Sequence, residues 1–137
     1  MMTAETTVRQ IMRPIISIDS KAKVKDAALL MVEKKIGSLI VNRNGLPFGM
    51  VTERDMTREI VAQALDASKV SVGDIMSVPL VTVEASASIV EAARKMVEKK
   101  VKRLAVTREN KITGIVSQTD LVQHMTDFQK LAKMGMV

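Results

Sequence analysis

Apolar side chains recur along this chain at two spacings, and the whole succession occurs twice. Val24, Ala27, Ala28, Met31 and Val32 stand at i, i+3, i+4, i+7 and i+8, the spacing that lines one face of an α-helix. Ile89, Ala92, Ala93, Met96 and Val97 repeat the stripe, with Ser88 and Glu91 placed as a capping box where the first copy has Lys23 and Asp26. Short runs rich in β-branched residues, Ile15–Ile18 and Leu80–Val83, follow a proline in each half and predict strands. Leu39–Val41 and Leu104–Val106 predict buried strands. Turns at Asn42-Arg43-Asn44-Gly45 and Arg108-Glu109-Asn110-Lys111 lead to third strands, Phe48–Val51 and Ile112–Val116. The first turn carries the Asn-Gly signal of a tight hairpin and the second does not. A further helix is predicted after Thr52 and after Ser117.

The two halves are copies. Met31-Val32-Glu33-Lys34-Lys35 returns letter for letter as Met96-Val97-Glu98-Lys99-Lys100, and Pro14–Ile60 aligns without a gap on Pro79–Met125, with 15 of 47 pairs identical. Before the prolines the offset drops from 65 to 64 and places Val8, Ile11 and Met12 on Val72, Ile75 and Met76. The reading is therefore α+β: two β-α-β-β-α repeats at 8–64 and 72–126, a linker at 65–71, and a helical tail at 127–137. A half of this size buries too little surface to be comfortable alone. The repeats are expected to pack sheet to sheet about a pseudo-two-fold axis, with two equivalent clefts between them.

Composition narrows the chemistry. The chain has 137 residues, 47% hydrophobic and 26% charged, the balance of a globular protein with a real core. The absence of cysteine excludes disulfides, thiolate metal sites and Cys nucleophiles. One histidine, His124, argues against a His-based triad or metal site, and an aromatic content of 1%, Phe48 and Phe128, leaves no platform for base stacking. No apolar run approaches the roughly 20 residues that span a bilayer, and the N-terminus lacks a signal-peptide pattern, so a cytoplasmic protein without a membrane partner is expected. The net charge of +6 favours polyanionic partners. Its densest basic segment is Lys99-Lys100-Val101-Lys102-Arg103. Lys99 and Lys100 suit a solvated helix end, whereas Lys102 and Arg103 enter the second strand, where the first copy has Gly37 and Ser38.

The most informative residues are Gly49-Met50-Val51-Thr52-Glu53-Arg54-Asp55 and Gly114-Ile115-Val116-Ser117-Gln118-Thr119-Asp120. Both fit Gly-apolar-Val-[Ser/Thr]-x-x-Asp at a strand end and helix start. With Ile11-Met12-x-Pro14 and Ile75-Met76-x-x-Pro79, they closely resemble the CBS domain, the tandem module named after cystathionine β-synthase, over nearly everything from Val8 to Met125. The resemblance implies a non-catalytic regulatory pair, a Bateman module, that binds adenine nucleotides (AMP, ADP or ATP) as ligands and uses no catalytic cofactor. Carried onto this chain, Asp55 and Asp120 hold ribose hydroxyls, and Thr52 and Ser117 contact ribose or phosphate. Backbone near Ser17-Ile18 and Thr82-Val83 holds the adenine, which Val51 and Val116 flank. Lys102 and Arg103 fall where similar proteins place phosphate contacts, which makes the two clefts unequal; Arg54 and Arg58 are weaker phosphate candidates.

Elementary chemistry agrees with these roles. A carboxylate can accept both hydrogens of a cis-diol, and unpaired N–H groups at a helix start suit phosphate. The same [Ser/Thr]-x-x-Asp spacing is also a helix capping box, and the two roles can coexist. S-adenosylmethionine is an alternative ligand, because the diol contact does not distinguish it from AMP. Nucleic acid is an alternative or secondary partner through the basic surface. Leu121, Met125, Phe128 and Ala132 extend an apolar stripe past the second repeat, and this stripe, with the flat dimers common in the family, leads to an expected homodimer. About 7 residues precede the repeats and 12 follow them, so the output is expected to be read by a separate, unidentified regulated protein.

Overall fold

A computed structural model describes residues 6–124 and 132–135. The predicted tail at 127–137 falls largely outside the described residues, as do Met125 and Phe128 of the apolar stripe.

Two compact units form, and their division does not follow the order of the chain. One unit comprises residues 16–80, and the other joins residues 1–15 to 81–137. The first contains β1 (Ser17–Asp19), α2 (Val24–Lys34), β2 (Ser38–Arg43), β3 (Leu46–Thr52) and α3 (Glu53–Met56), which runs into a π-turn at Thr57–Val61. The second contains α1 (Val8–Ile11), β4 (Thr82–Glu84), α4 (Ile89–Lys99), β5 (Arg103–Arg108), β6 (Lys111–Ser117) and α5 (Gln118–His124). Each unit has a three-stranded sheet, ordered β1-β2-β3 or β4-β5-β6, whose first pair is parallel and whose second is antiparallel.

The duplication is visible bond by bond. Each hairpin closes through a two-residue turn with both residues left-handed, Asn44-Gly45 and Glu109-Asn110. The second turn thus forms without the Asn-Gly signal, its register held by the strands on either side. Both ladders slip at the same place, between Val41 and Asn42 and between Val106 and Thr107. Ser88 caps α4 by accepting from the Glu91 N–H at 3.0 Å, whereas Lys23 gives α2 no side-chain cap.

Each unit builds its own core from one helix stripe, one sheet face and one outlying segment. In residues 16–80 the core joins Val24, Ala27 and Met31 of α2 to Leu39, Val41 and Val51 of the sheet, closed by Ile60, Val72 and Ile75. In the other unit Ile89, Ala92, Ala93 and Met96 meet Val83, Leu104, Val106 and Val116, closed by Leu121 and by Val8 and Ile11. The outlying apolar pairs, Val72 with Ile75 and Val8 with Ile11, are the repeat-equivalent residues just before the prolines. Each segment therefore serves the sheet of the repeat that does not follow it.

Candidate functional site

The segments before the two prolines cross the strands that carry the Gly-apolar-Val motif, and this crossing builds the site. Ser77 donates its N–H to the Met50 carbonyl at 2.8 Å and accepts from the Met50 N–H at 3.0 Å. Arg13 exchanges the same pair of bonds with Ile115, both at 2.9 Å. The crossing explains the glycines. A Cβ on Gly49 would lie 2.8 Å from the Ser77 carbonyl oxygen, and one on Gly114 would lie 2.6 Å from Met12 Sδ and 3.0 Å from the Arg13 carbonyl oxygen. At Gly49 a side chain would push the strap backbone away, and at Gly114 it would first displace the Met12 side chain.

The strap brings a side chain onto the motif carboxylate, which is buried in both units, with Asp55 2% and Asp120 3% exposed. Asp55 Oδ2 accepts from the Thr52 N–H at 2.9 Å and the Thr52 hydroxyl at 3.1 Å, while the Asp55 N–H donates to Thr52 Oγ1 at 3.2 Å. Its Oδ1 takes the Ser77 hydroxyl at 2.9 Å and an Arg58 terminal nitrogen at 3.1 Å. Asp120 Oδ2 likewise accepts from the Ser117 N–H at 2.9 Å, and the Asp120 N–H donates to Ser117 Oγ at 3.1 Å. Its Oδ1 takes Arg13 Nε at 2.8 Å. Burial pushes the Asp120 carboxyl up, but the Arg13 hydrogen bond, the Ser117 N–H and hydroxyl and the Arg13 charge outweigh it, so Asp120 sits below its ordinary value of 3.8. The capping-box reading of these residues thus holds in both copies, and in each copy the second carboxylate oxygen faces donors from outside the box.

The register gathers most other expected residues at the same end of each sheet. Ser17 lies opposite Ile40 while the Ile40 N–H bonds to Ile16 O, and Thr82 lies opposite Ala105 while the Ala105 N–H bonds to Val81 O. In a parallel ladder this leaves the N–H and C=O of Ser17 and Thr82 directed away from the neighbouring strand. Ile18 is half-buried against its core and Val83 is in its own. Arg103 stands directly across from Ser117, as Ser38 does from Thr52. The Lys102 carbonyl caps α5 by accepting from the Gln118 N–H at 2.8 Å, and its side chain is exposed, as is Arg54.

Two expectations need correction. Val51 and Val116 are fully buried, because each lies on the sheet face that packs against its unit's long helix, α2 or α4; their side chains have no exposed surface for a purine. The helix starts are also less open to phosphate than expected. The first N–H of α3 and of α5 already bonds to Gly37 O or Lys102 O, and the third bonds to the capping hydroxyl. The phosphate candidates that remain are side-chain cations. Of these, Arg58 does reach the motif carboxylate. Arg13 and Ser77 escaped the sequence reading, although the 64-residue offset aligns them with each other.

Comparison with known proteins gives the chain its relatives. The family model described as CBS domain matches residues 8–62 and 72–127. Protein MK0525 of Methanopyrus kandleri is 37% identical over 113 residues, covering 81% of this chain and 58% of its own length. Among solved structures, a protein with CBS domains from Burkholderia ambifaria MC40-6 has 36% identity and a TM-score of 0.81, covering 86% of this chain and 92% of that one. The hexameric CBS-CP12 protein from bloom-forming cyanobacteria has 30% identity and a TM-score of 0.83, covering 95% and 75%. The chain spans little more than half the length of MK0525. Among the described residues no helix is long and apolar enough to cross a membrane, and no cluster of three or more His, Cys, Asp or Glu could hold a metal ion.

Proposed function

We propose that this chain, which belongs to the CBS-domain family as a tandem pair, senses an adenine nucleoside or nucleotide, one motif carboxylate in each unit gripping the ribose. Tandem CBS modules are generally regulatory ligand-binding units rather than enzymes. The observation that carries the finer reading is the second oxygen of Asp55 and Asp120. A capping box needs only Oδ2, yet in both units Oδ1 is held at the same sheet end as the outward-directed backbone of Ser17 or Thr82. A ribose hydroxyl on Oδ1 and a purine edge against that backbone are contacts an adenosyl group needs. Asp55 would take this role with Thr52, Ser17 and Ile18, and Asp120 with Ser117, Thr82 and Val83. Lys102 and Arg103, and more weakly Arg54 and Arg58, would face the phosphates.

Ligand binding would act by favouring one arrangement of the chain over another, by as much as its affinity for the two differs. Self-association fits the same role, since a relative of this fold assembles as a hexamer, and we take a homodimer as the working unit. A thermal-shift screen with adenosine, AMP, ADP, ATP and S-adenosylmethionine tests the reading. A ligand at 100 times its Kd stabilises the fold by roughly 2.7 kcal/mol, so AMP or ATP should raise the melting temperature by several degrees. No shift with any of the five at millimolar concentration would overturn it. Nucleic acid held by the basic surface would instead show binding that collapses with added salt.

A further inference from the structure

The two carboxylates are equivalent by sequence but not by their surroundings. Oδ1 of Asp55 accepts two donors, the Ser77 hydroxyl and Arg58, so both its lone pairs are occupied. Oδ1 of Asp120 accepts one among the described residues, Arg13 Nε, which leaves one of its lone pairs uncommitted there. The difference comes from the strap, where aligned positions hold Arg13 in one unit and Ser77 in the other. The charges diverge as well. Glu53, Arg54, Arg58 and Glu59 accompany Asp55, and Arg58 is tied to both Asp55 and Glu59. The aligned positions beside Asp120 are Gln118, Thr119, Gln123 and His124, while Arg13, Lys102 and Arg103 are added on neighbouring elements.

Arg13 has the geometry of a shared contact. Its Nε is on Asp120 at 2.8 Å, its side chain is 65% exposed, and its terminal nitrogens have no partner among the described residues. A guanidinium anchored in this way is already oriented when a phosphate arrives, and its remaining N–H groups form the planar fork that matches phosphate oxygens. We infer that Arg13 is the specificity-determining residue of the pair: it makes the Asp120 site the first to fill and the one that prefers phosphate-bearing nucleotides. Ser77 and Arg58 close the Asp55 Oδ1, which accepts a sugar hydroxyl only by giving up one of them. The inference rests on the nucleoside reading above and adds the rank and charge preference of the two sites.

Isothermal titration of the full chain with adenosine, AMP and ATP tests it. The wild type should show one tight class of site, lost in Asp120→Asn, that prefers ATP and AMP to adenosine. Arg13→Ser should weaken ATP and AMP by roughly tenfold or more, the scale of a charge-assisted contact, and adenosine by less than about threefold. Arg13→Lys should recover part of the preference, because it restores charge without the fork. The salt dependence of ATP binding should fall in Arg13→Ser, since one cation has been removed. An unchanged ATP-to-adenosine ratio in both variants, or a tight class that survives Asp120→Asn, overturns the role given to Arg13 while leaving the nucleoside reading intact. No binding of any of the three to the wild type overturns the nucleoside reading itself and the inference with it.

Discussion

Adding one methyl group at Gly49 tests the strap more sharply than removing any side chain. In Gly49→Ala the new Cβ stands 2.8 Å from the Ser77 carbonyl oxygen and 2.9 Å from Met76 Sδ and Val78 Cγ1. An ordinary contact needs about 3.4 Å or more, so the strap has to lift by roughly half an ångström. That carbonyl accepts the Met50 N–H at 3.0 Å, and the lift stretches the bond past the useful range. The reciprocal bond and the Ser77–Asp55 contact lie on the same rigid crossing and weaken with it. At about 0.5–1.5 kcal/mol each, three weakened bonds plus overpacking give a loss of about 2–4 kcal/mol. Gly114→Ala meets first a methionine thioether at 2.6 Å and only then backbone at 3.0 Å. Met12 can swing aside, so about 1–2 kcal/mol is expected. Urea denaturation gives the two losses, and amide exchange locates them, at Met50 and Ser77 in one variant and at Arg13 and Ile115 in the other. A Gly49→Ala protein within about 0.5 kcal/mol of the wild type, or one whose Met50 and Ser77 amides stay protected, would show that the strap does not bear on the glycine.

Other expectations follow from single contacts. Asp120 is held below 3.8 in the fold, so its contribution is complete above its unfolded value and disappears as pH falls through its folded one. Arg13→Ala removes one cause of the depression and should move the acid limb of the melting curve to higher pH. Identical limbs for the two proteins between about pH 2 and 6 would contradict the pairing. Ser88→Ala removes the α4 cap and should cost about 1 kcal/mol, whereas Lys23→Ser should gain up to about 1 kcal/mol by giving α2 the box its sister has. Thermal melts with both signs reversed would reject the capping argument.

The pattern of apolar residues was enough to find both sheets, both long helices and the second copy, because those elements are local and the copies corroborate each other. It placed the first strands two residues early. Ile15 and Ile16 read as strand by composition, but the chain passes from one unit to the other between them, and pairing begins only at Ser17 and Thr82. The strap itself left a trace, the aligned Ile-Met-x-Pro segments, yet no local pattern says which sheet such a segment will cross. Arg13 therefore read as part of the repeat that follows it, while its partner Asp120 lies 107 residues away. The misplacement of Val51 and Val116 is different in kind, since the two-residue period of a strand already puts one of its faces against the long helix.

The candidate site and the fold share atoms, and this governs how mutations at the motif must be read. Asp120 closes a capping box through Oδ2 and anchors the strap through Oδ1. Replacement by alanine removes both and leaves a guanidinium and a backbone N–H without their acceptor. Loss of binding in Asp120→Ala would then report unfolding of the crossing as readily as loss of a ribose contact. Asparagine separates the two. Its amide oxygen can still accept from the Ser117 N–H, while its NH₂ group turns a donor toward Arg13 and toward any sugar hydroxyl. If the capping role dominates, Asp120→Asn keeps most of the protein's stability, and binding weakens because Oδ1 no longer accepts from Arg13 or from a sugar hydroxyl. The same reasoning makes Ser77→Ala informative at the other site. It removes one of two donors from Asp55 Oδ1, so it should cost stability yet open the carboxylate, and nucleoside binding at that site should strengthen while the protein weakens. A parallel fall in both would mean that Ser77 positions the carboxylate rather than covering it.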